Sequence, residues 1–184
     1  MPARLALFTF GQFRMPAEDP ANDGFHERND PILAAADTAE GFIARSGYAD
    51  EPGPECWGEQ VYPRFHRDNG DDWAPATLSL WRDAESVMAF TYSDIHNEAM
   101  RHARDWFDKP GWPPLVLWWV ADDHTPDWAE AVVRHEHLAD HGPTPHAFTF
   151  KAFFDAVGAP QSVDQDRVRD LIRQRAVRKT EKPA

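Results

Sequence analysis

The stretch Leu115–Ala121 reads LVLWWVA, an almost continuous apolar run in a chain of 184 residues. A strand with one wet face alternates apolar and polar residues, whereas a strand covered on both faces is apolar at nearly every position. This stretch therefore predicts a β-strand that is buried on both faces. The rest of the chain has to supply its neighbours and its cover.

Other strands are predicted where β-branched and aromatic residues cluster between turn residues. Residues 4–13, 42–48 and 76–82 have this composition. A short strand within residues 60–66 is predicted to be an edge strand or a bulge, because it contains a proline. A last strand is predicted within residues 146–154.

Helices are predicted between these strands from residues that commonly cap or end a helix. An alanine-rich stretch predicts a helix that begins near Asp30, with Pro31 in its first turn, and ends at Gly41. Another helix is predicted to begin after Thr125 as its N-cap and to end at Gly142. Together with a helix after residues 76–82, the order becomes strand, helix, strand, strand, helix, strand, helix, strand.

The first six elements match the split βαβ pattern of ferredoxin-like folds. The sequence therefore predicts an α+β fold with an antiparallel sheet and helices on one face only. The bare face would need a cover, and pairing of two sheets in a homodimer would provide it. We expect residues 1–157 to form this domain and residues 158–184 to form a charged, locally basic C-terminal tail or docking helix.

The net charge of −12 predicts a surface that repels nucleic acid and anionic lipid. No apolar run approaches the about 18 residues of a membrane span, and the N-terminus lacks a signal-peptide pattern. The single cysteine cannot form an internal disulfide. We expect a cytoplasmic protein without nucleic-acid or membrane partners. Its 8 tryptophans and 12 phenylalanines would build a dense core or the walls of an apolar pocket.

The stretch FTYSDIHNEAMRHARDWF, residues 90–107, belongs to a helix predicted to begin after Asp83 and to end before Pro110. Successive residues of a helix are roughly 100° apart, and most of the large apolar residues here fall on one arc of the helix. His96 lies near the centre of this apolar arc, and Phe90 is the one large apolar residue outside it. The other members of the arc are Met88, Tyr92, Ile95, Ala99, Met100, Ala103, Trp106 and Phe107.

Two interpretations of His96 stay open. In the first, the imidazole donates to a backbone carbonyl or to Tyr92 and only packs, because a buried imidazole needs hydrogen-bond partners. In the second, the arc lines a cavity and His96 presents a nitrogen to a ligand, as a base or as a metal ligand. Tyr92 and Ser93 would add polar groups to that apolar wall.

Further candidates are His124, at a strand-to-helix junction, and Arg82, at the end of the strand before the His96 helix. Either side chain could contact a substrate oxygen, and either could equally serve in a turn or a surface salt bridge. His137 and His141 have an i, i+4 spacing that zinc can use, but they fall on the polar side of their helix. We expect those two histidines to be solvated and predict no metal site there.

Four motifs resemble a family of bacterial and fungal proteins catalogued as domain-of-unknown-function family 3291. They read TLSLWRDAESVMAFTYSDIH, then WF, LWWVADDHTPDWAEAVVRHEHL and GPTPHAFTF. The resemblance covers most of residues 5–150. The family is similar in fold to the dimeric α/β-barrel superfamily, which includes antibiotic-biosynthesis monooxygenases and haem-degrading monooxygenases. The resemblance thus implies a dimeric barrel with a pocket between the sheet and helices of each subunit.

Residue by residue, His96 matches the family's Y-x-x-x-H helix, and Trp106 begins its WF pair. The strand over residues 117–120 matches LWWV. His124 matches a G-H-x-P turn, in which this chain has Asp123 in place of glycine. In the haem-degrading relatives the helix also bears an iron-ligating histidine, at an offset that looks longer.

From these features we expect a small-molecule enzyme, a monooxygenase-like oxidoreductase that acts on an apolar or aromatic substrate. His96 would be the base or an orienting donor, Tyr92 a hydrogen-bond partner, and His124 or Arg82 a second polar contact. The pocket walls would be Met100, Trp106, Trp118 and Trp119. No cofactor is predicted, since a substrate that stabilises its own carbanion can reduce oxygen directly. One alternative is a haem protein with His96 as axial ligand, and another is a non-catalytic small-ligand binding module.

Overall fold

A computed structural model describes residues 3–92 and 94–180, so Ser93 lies outside the described residues. The strands are β1 (Ala3–Phe10), β2 (Phe42–Arg45), β3 (Ala76–Trp81), β4 (Leu115–Ala121), β5 (Phe153–Phe154) and β6 (Pro160–Gln161). The helices are α1 (Asp23–Asp37), α2 (Ala84–Thr91), α3 (Asp94–Trp106), α4 (Trp128–His141) and α5 (Gln165–Thr180). None of these described helices is both long and apolar enough to cross a membrane.

The main sheet has four antiparallel strands in the order β2-β3-β1-β4. Strand β1 is central, and its Leu5 lies between Trp81 of β3 and Trp119 of β4. Strands β5 and β6 form a separate small hairpin. The predicted α+β class and antiparallel sheet are therefore confirmed, while the described residues form no closed barrel.

The first face of the sheet carries Leu5, Leu7, Trp81 and Leu117. Helices α1, α2 and α5 cover it, together with the chain after α4. The covering side chains that pack on this face include Ala36, Val87, Phe90, Phe148, Phe153 and Val168. Each of these is almost completely removed from water.

The second face carries Ala6, Phe8, Leu80 and Trp118, which alternate along the strands with the residues of the first face. Helix α4 covers it with Trp128, Ala131 and Leu138, and the irregular segment over residues 48–65 adds several aromatic rings. The expectation that helices lie on one face only is therefore wrong. Both sets of alternate residues are apolar, so each face needs its own cover.

This covering bears on the predicted dimeric barrel. A barrel made from two sheets needs one face of each sheet to be open to the partner, but here α4 and residues 48–65 of the same chain fill that face. The homodimer itself stays a prediction. A second copy would have to use a surface other than the sheet.

The single helix predicted from Asp83 to beyond His96 is two helices. Asp83 caps α2 as predicted, since its Oδ1 accepts from the Ser86 amide at 2.8 Å. The helix then ends with Tyr92 as its C-cap, and α3 begins at Asp94. The break explains why Phe90 misses the apolar arc, because Phe90 belongs to α2 and is buried with the first face of the sheet.

Two other helix boundaries differ from the sequence prediction. Helix α1 begins at Asp23 rather than near Asp30 and contains Pro31 inside it. Helix α4 is capped by Asp127, whose Oδ1 accepts from the Glu130 amide at 2.7 Å, and not by Thr125. Its predicted end is confirmed: Gly142 has a φ of 74°, which favours glycine.

Two predicted strands are shorter or absent. Residues 60–66 form no strand, and Tyr62 and Phe65 instead pack on the second face from an irregular segment. The strand predicted within residues 146–154 is reduced to Phe153–Phe154, with Phe148 making an isolated bridge to Leu117. In both segments the aromatic rings are buried or partly buried, although most of the backbone forms no regular strand pairing.

The C-terminal segment includes a helix that docks on the domain. Val168 of α5 is buried among the residues of the first face. At the start of the helix, the Asp164 amide donates to the Glu85 carboxylate at 2.9 Å, and Arg167 pairs with Asp83 at 2.8 Å. These contacts tie α5 to α2.

We predict that Trp128→Ala lowers the free energy of unfolding by about 3–5 kcal/mol, because the indole fills the second face and leaves a cavity when removed. Urea denaturation followed by circular dichroism measures this change. The matched control is Val133→Ala, on the exposed side of the same helix, which should change stability little. Equal effects of the two substitutions would contradict the covered second face.

Candidate functional site

The imidazole of His96 is fixed by one backbone hydrogen bond. His96 lies in the first turn of α3, and its Nδ1 is 3.1 Å from the carbonyl oxygen of Thr91, the last residue of α2. A carbonyl only accepts, so Nδ1 must carry the proton. In the neutral ring, Nε2 is then the nitrogen with a free lone pair, which can act as a base or as a ligand.

The same ring is half-buried against Phe90. The centres of the His96 and Phe90 rings are 5.3 Å apart. Phe90 also packs against Trp81 of the sheet, with 5.5 Å between the ring centres. Burial lowers the pKa of His96 below its usual value, with a smaller opposing effect from the hydrogen bond to Thr91. The neutral form is therefore favoured at neutral pH.

A groove of about 360 Å³ lies between α3 and α5 beside this histidine. Its lining residues are Tyr92, Asn97, Glu98, Arg101, Ile172, Arg175 and Ala176. Tyr92 lies four residues before His96 in the chain and Asn97 directly after it, so the groove lies near the histidine. We call this feature the α3–α5 groove.

Arg175 connects the α3–α5 groove to the core. Its guanidinium lies over the ring of Phe90, 5.5 Å from the ring centre, and its Nη2 donates to the Ala35 carbonyl at 3.4 Å. Phe90 therefore contacts both Arg175 and His96. The sequence did not single out Arg175, because it lies in the segment predicted to be a tail or docking helix. The docking of α5 was indicated by the spacing of its apolar residues Val168, Leu171 and Ile172, which pack on the first face of the sheet.

The predicted pocket walls are not brought together. Trp118 is fully buried on the second face, whereas Trp119 lies on the first face with its Nε1 donating to the Phe154 carbonyl at 2.8 Å. Trp106 packs in a third cluster around Phe13. Met100 is 43% exposed. Among the described residues, these four side chains lie apart from the α3–α5 groove, whereas Tyr92 lines it and His124 and Arg82 do not.

His124 and Arg82 lie elsewhere. His124 Nε2 donates to Glu130 at 2.6 Å, and the other oxygen of Glu130 accepts from Trp118 Nε1 at 3.0 Å. Arg82 forms ion pairs with Glu40 at 3.1 Å and with Asp83, next to it in the chain. Arg82 precedes α2 while His96 contacts its end, so about 12 Å of helix separates them.

The histidines of α4 divide into a buried one and an exposed group. His135 is fully buried, with Nε2 donating to the Pro113 carbonyl at 2.6 Å, and burial lowers its pKa. His137 stacks on His141 at 4.4 Å and meets His146 at 4.8 Å. Within the described residues, no group of histidine, cysteine and acidic side chains could hold a metal ion.

The family model that describes a domain of unknown function, DUF3291, matches residues 4–165, which is most of the chain. The chain belongs to this family. No curated protein matches it.

Two solved structures are similar to this DUF3291 protein at low identity. One is a protein of unknown function from Nitrosomonas europaea, with 14% identity, a TM-score of 0.40, and coverage of 68% of this chain and 94% of that one. The other is from Pseudomonas aeruginosa, with 9% identity, a TM-score of 0.37, and coverage of 67% and 95%. Likeness at this level carries no argument about the function of the DUF3291 chain.

We predict that His96 in this DUF3291 protein titrates below the usual value of about 6.5 and is protonated at Nδ1 when neutral. Nitrogen-15 NMR of the imidazole during a pH titration measures both properties. Because the folded pKa is the lower one, its contribution to stability is full above about pH 6.5 and is lost as the pH falls towards the folded pKa. A His96→Gln variant should lose that part of the acid sensitivity. Titration above 6.5, or a proton on Nε2 in the neutral ring, would contradict the geometry.

We predict that Glu130→Ala lowers the free energy of unfolding by about 1–3 kcal/mol, since it leaves the buried Trp118 Nε1 without an acceptor. Thermal and urea unfolding measure the loss. His124→Ala is the control: it removes only a half-exposed partner of the same carboxylate and should have a small effect. A larger effect for His124→Ala would show that His124 has a role beyond this pair.

Proposed function

We propose that this protein is a small-molecule enzyme in which His96 removes a proton from a substrate bound in the α3–α5 groove. The observation that carries the proposal is the hydrogen bond from Nδ1 to the Thr91 carbonyl at 3.1 Å. It fixes the tautomer with an unprotonated Nε2, and burial keeps the ring neutral. A general base needs that protonation state and a fixed orientation.

The neighbourhood of His96 supports a substrate with an unsaturated or aromatic part. The buried Phe90 ring packs against His96, and the half-exposed Tyr92 ring is a flat surface that lines the groove. Asn97 adds an amide that can both donate and accept. The volume of about 360 Å³ is in the lower part of the range for small-molecule sites.

The proposed reaction class is a monooxygenase-like oxidation. Loss of a proton to His96 Nε2 would leave a carbanion, and a substrate that stabilises this carbanion would pass electrons to oxygen without a cofactor. The described residues contribute binding, orientation and the proton acceptor. The strands and α-helices follow in the order β1-α1-β2-β3-α2-α3-β4, and the sheet order is β2-β3-β1-β4; both support a relation to the ferredoxin-like, antibiotic-biosynthesis monooxygenase-like superfamily. A homodimer and a cytoplasmic location belong to the same proposal.

A haem group does not fit the residues of this groove. Nε2 of His96 has the orientation of a metal ligand, because the other ring nitrogen donates to a carbonyl. A porphyrin, however, is a large flat ring that needs apolar walls on both faces, and the aliphatic lining of the groove is Ile172 and Ala176. The large tryptophans that could flank such a ring are packed in three separate clusters. We therefore derive no step through haem.

The test is oxygen uptake with a panel of aromatic and unsaturated acids, phenols and ketones. On a substrate that is turned over, we predict that His96→Ala lowers kcat by roughly 100- to 10,000-fold, the usual contribution of a positioned base. The matched control is His102→Ala, on the same helix, where the side chain is exposed and paired with Asp105. This control should keep wild-type turnover.

Full turnover by His96→Ala would overturn the assignment of the base. A ligand that raises the melting temperature without any turnover would instead favour the non-catalytic binding module. The haem alternative is tested by an absorption spectrum of the protein after haem titration. We expect no sharp Soret band that depends on His96, and such a band would contradict the poor fit of haem.

A further inference from the structure

We infer that the α3–α5 groove binds small organic carboxylates through Arg101 of α3 and Arg175 of α5. This inference rests on the proposed function, because it names the class of substrate for the same site. It concerns binding, however, and can be tested without any turnover.

Four of the seven described residues that line the groove carry side-chain hydrogen-bond donors. Arg101 and Arg175 present guanidinium groups, Asn97 presents an amide and Tyr92 a hydroxyl. Guanidinium groups bind carboxylates with two parallel hydrogen bonds, which gives both affinity and orientation. Arg101 forms no ion pair with any described residue, so its charge is not already neutralised within the part of the chain that the structure describes.

Among the described residues that line the groove, the carboxylate of Glu98 has its own partner. Glu98 pairs with Arg28 of α1, with Nη2 and Oε1 3.0 Å apart. Arg28 itself lies over the Trp106 ring, which holds it in place. The negative charge of Glu98 is therefore offset by Arg28 of α1.

The rest of the lining suits an organic acid better than an inorganic anion. Ile172 and Ala176 of α5 form an apolar strip beside Arg175, and Phe90 lies beneath its guanidinium. An organic acid can place its carboxylate on the arginines and its apolar part on this strip, whereas inorganic phosphate cannot use the strip. The strongly negative chain, with a net charge of −12, would repel anions that lack such specific contacts.

Helix α5 is essential to this site. The family match ends at residue 165, where α5 begins. Half of the arginine pair and the whole apolar strip therefore lie beyond the matched region. The docking of α5 on α2 is what brings Arg175 over Phe90, and so next to His96.

The test is isothermal titration calorimetry of the full-length protein at low salt, with benzoate, neutral benzamide and inorganic phosphate as probes. We expect saturable benzoate binding, little benzamide binding and little phosphate binding. Arg101→Gln and Arg175→Lys should each weaken benzoate binding by about tenfold, since a hydrogen bond to a charged group contributes on that order. Arg175→Lys keeps the charge but loses the planar fork. The side-chain amide signals of Asn97 in NMR spectra should shift with benzoate, which locates the ligand.

The control is Arg173→Gln, which removes the same charge from α5 at an exposed position that does not line the groove. It should bind benzoate as the wild type does. Benzoate affinity unchanged in Arg101→Gln, phosphate binding in place of benzoate, or no benzoate binding by the wild type would each overturn the inference. A His96→Ala variant that keeps benzoate binding and also keeps full turnover would overturn the proposed base alone, and the carboxylate site would stand.

Discussion

A sheet whose two faces are both apolar has to be covered on both sides, and the position of every other segment follows from this constraint. The central strand β1 sends Leu5 and Leu7 to one side and Ala6 and Phe8 to the other. Exposing either set would cost on the order of 25 cal/mol for each Å² of apolar surface. The chain supplies α1, α2 and α5 for one face, and α4 with residues 48–65 for the other.

The candidate site is a consequence of how the first face is covered. Phe90 of α2 is held against Trp81 of the sheet, and its remaining surface is shared by His96 and Arg175. The break between α2 and α3 lets Thr91 present a carbonyl to the His96 ring. One buried aromatic side chain thus contacts a histidine from one helix and a cation from another near the same groove.

Much of the fold could be predicted from local patterns. The run LVLWWVA is the strand β4 covered on both faces, and Asp83 and Gly142 act as the predicted helix cap and helix end. The same run requires a cover on both faces, and the second cover comes from α4 and residues 48–65 of the same chain rather than from the predicted partner sheet. The aromatic segment within residues 60–66 packs without strand pairing, because ring burial needs no fixed backbone geometry.

The site was less predictable, for reasons that are also physical. No glycine or proline marks the break after Tyr92, and only the misplaced Phe90 signalled it. The tryptophans of the predicted pocket share a short stretch of sequence, but alternation along β4 sends Trp118 and Trp119 to opposite faces. The contact between Arg175 and Phe90 joins residues far apart in the chain, and no local pattern encodes it.

The central claim is that α5 docks on α2 and thereby builds the groove beside His96. Amide hydrogen exchange of α5, with NOE contacts of the Phe90 ring, tests it most directly. The account predicts slowed exchange around Val168 and Leu171, and NOEs from the Phe90 ring to both His96 and Arg175. Exchange in α5 at the rate of an unstructured peptide, with no contact between Phe90 and Arg175, would contradict it.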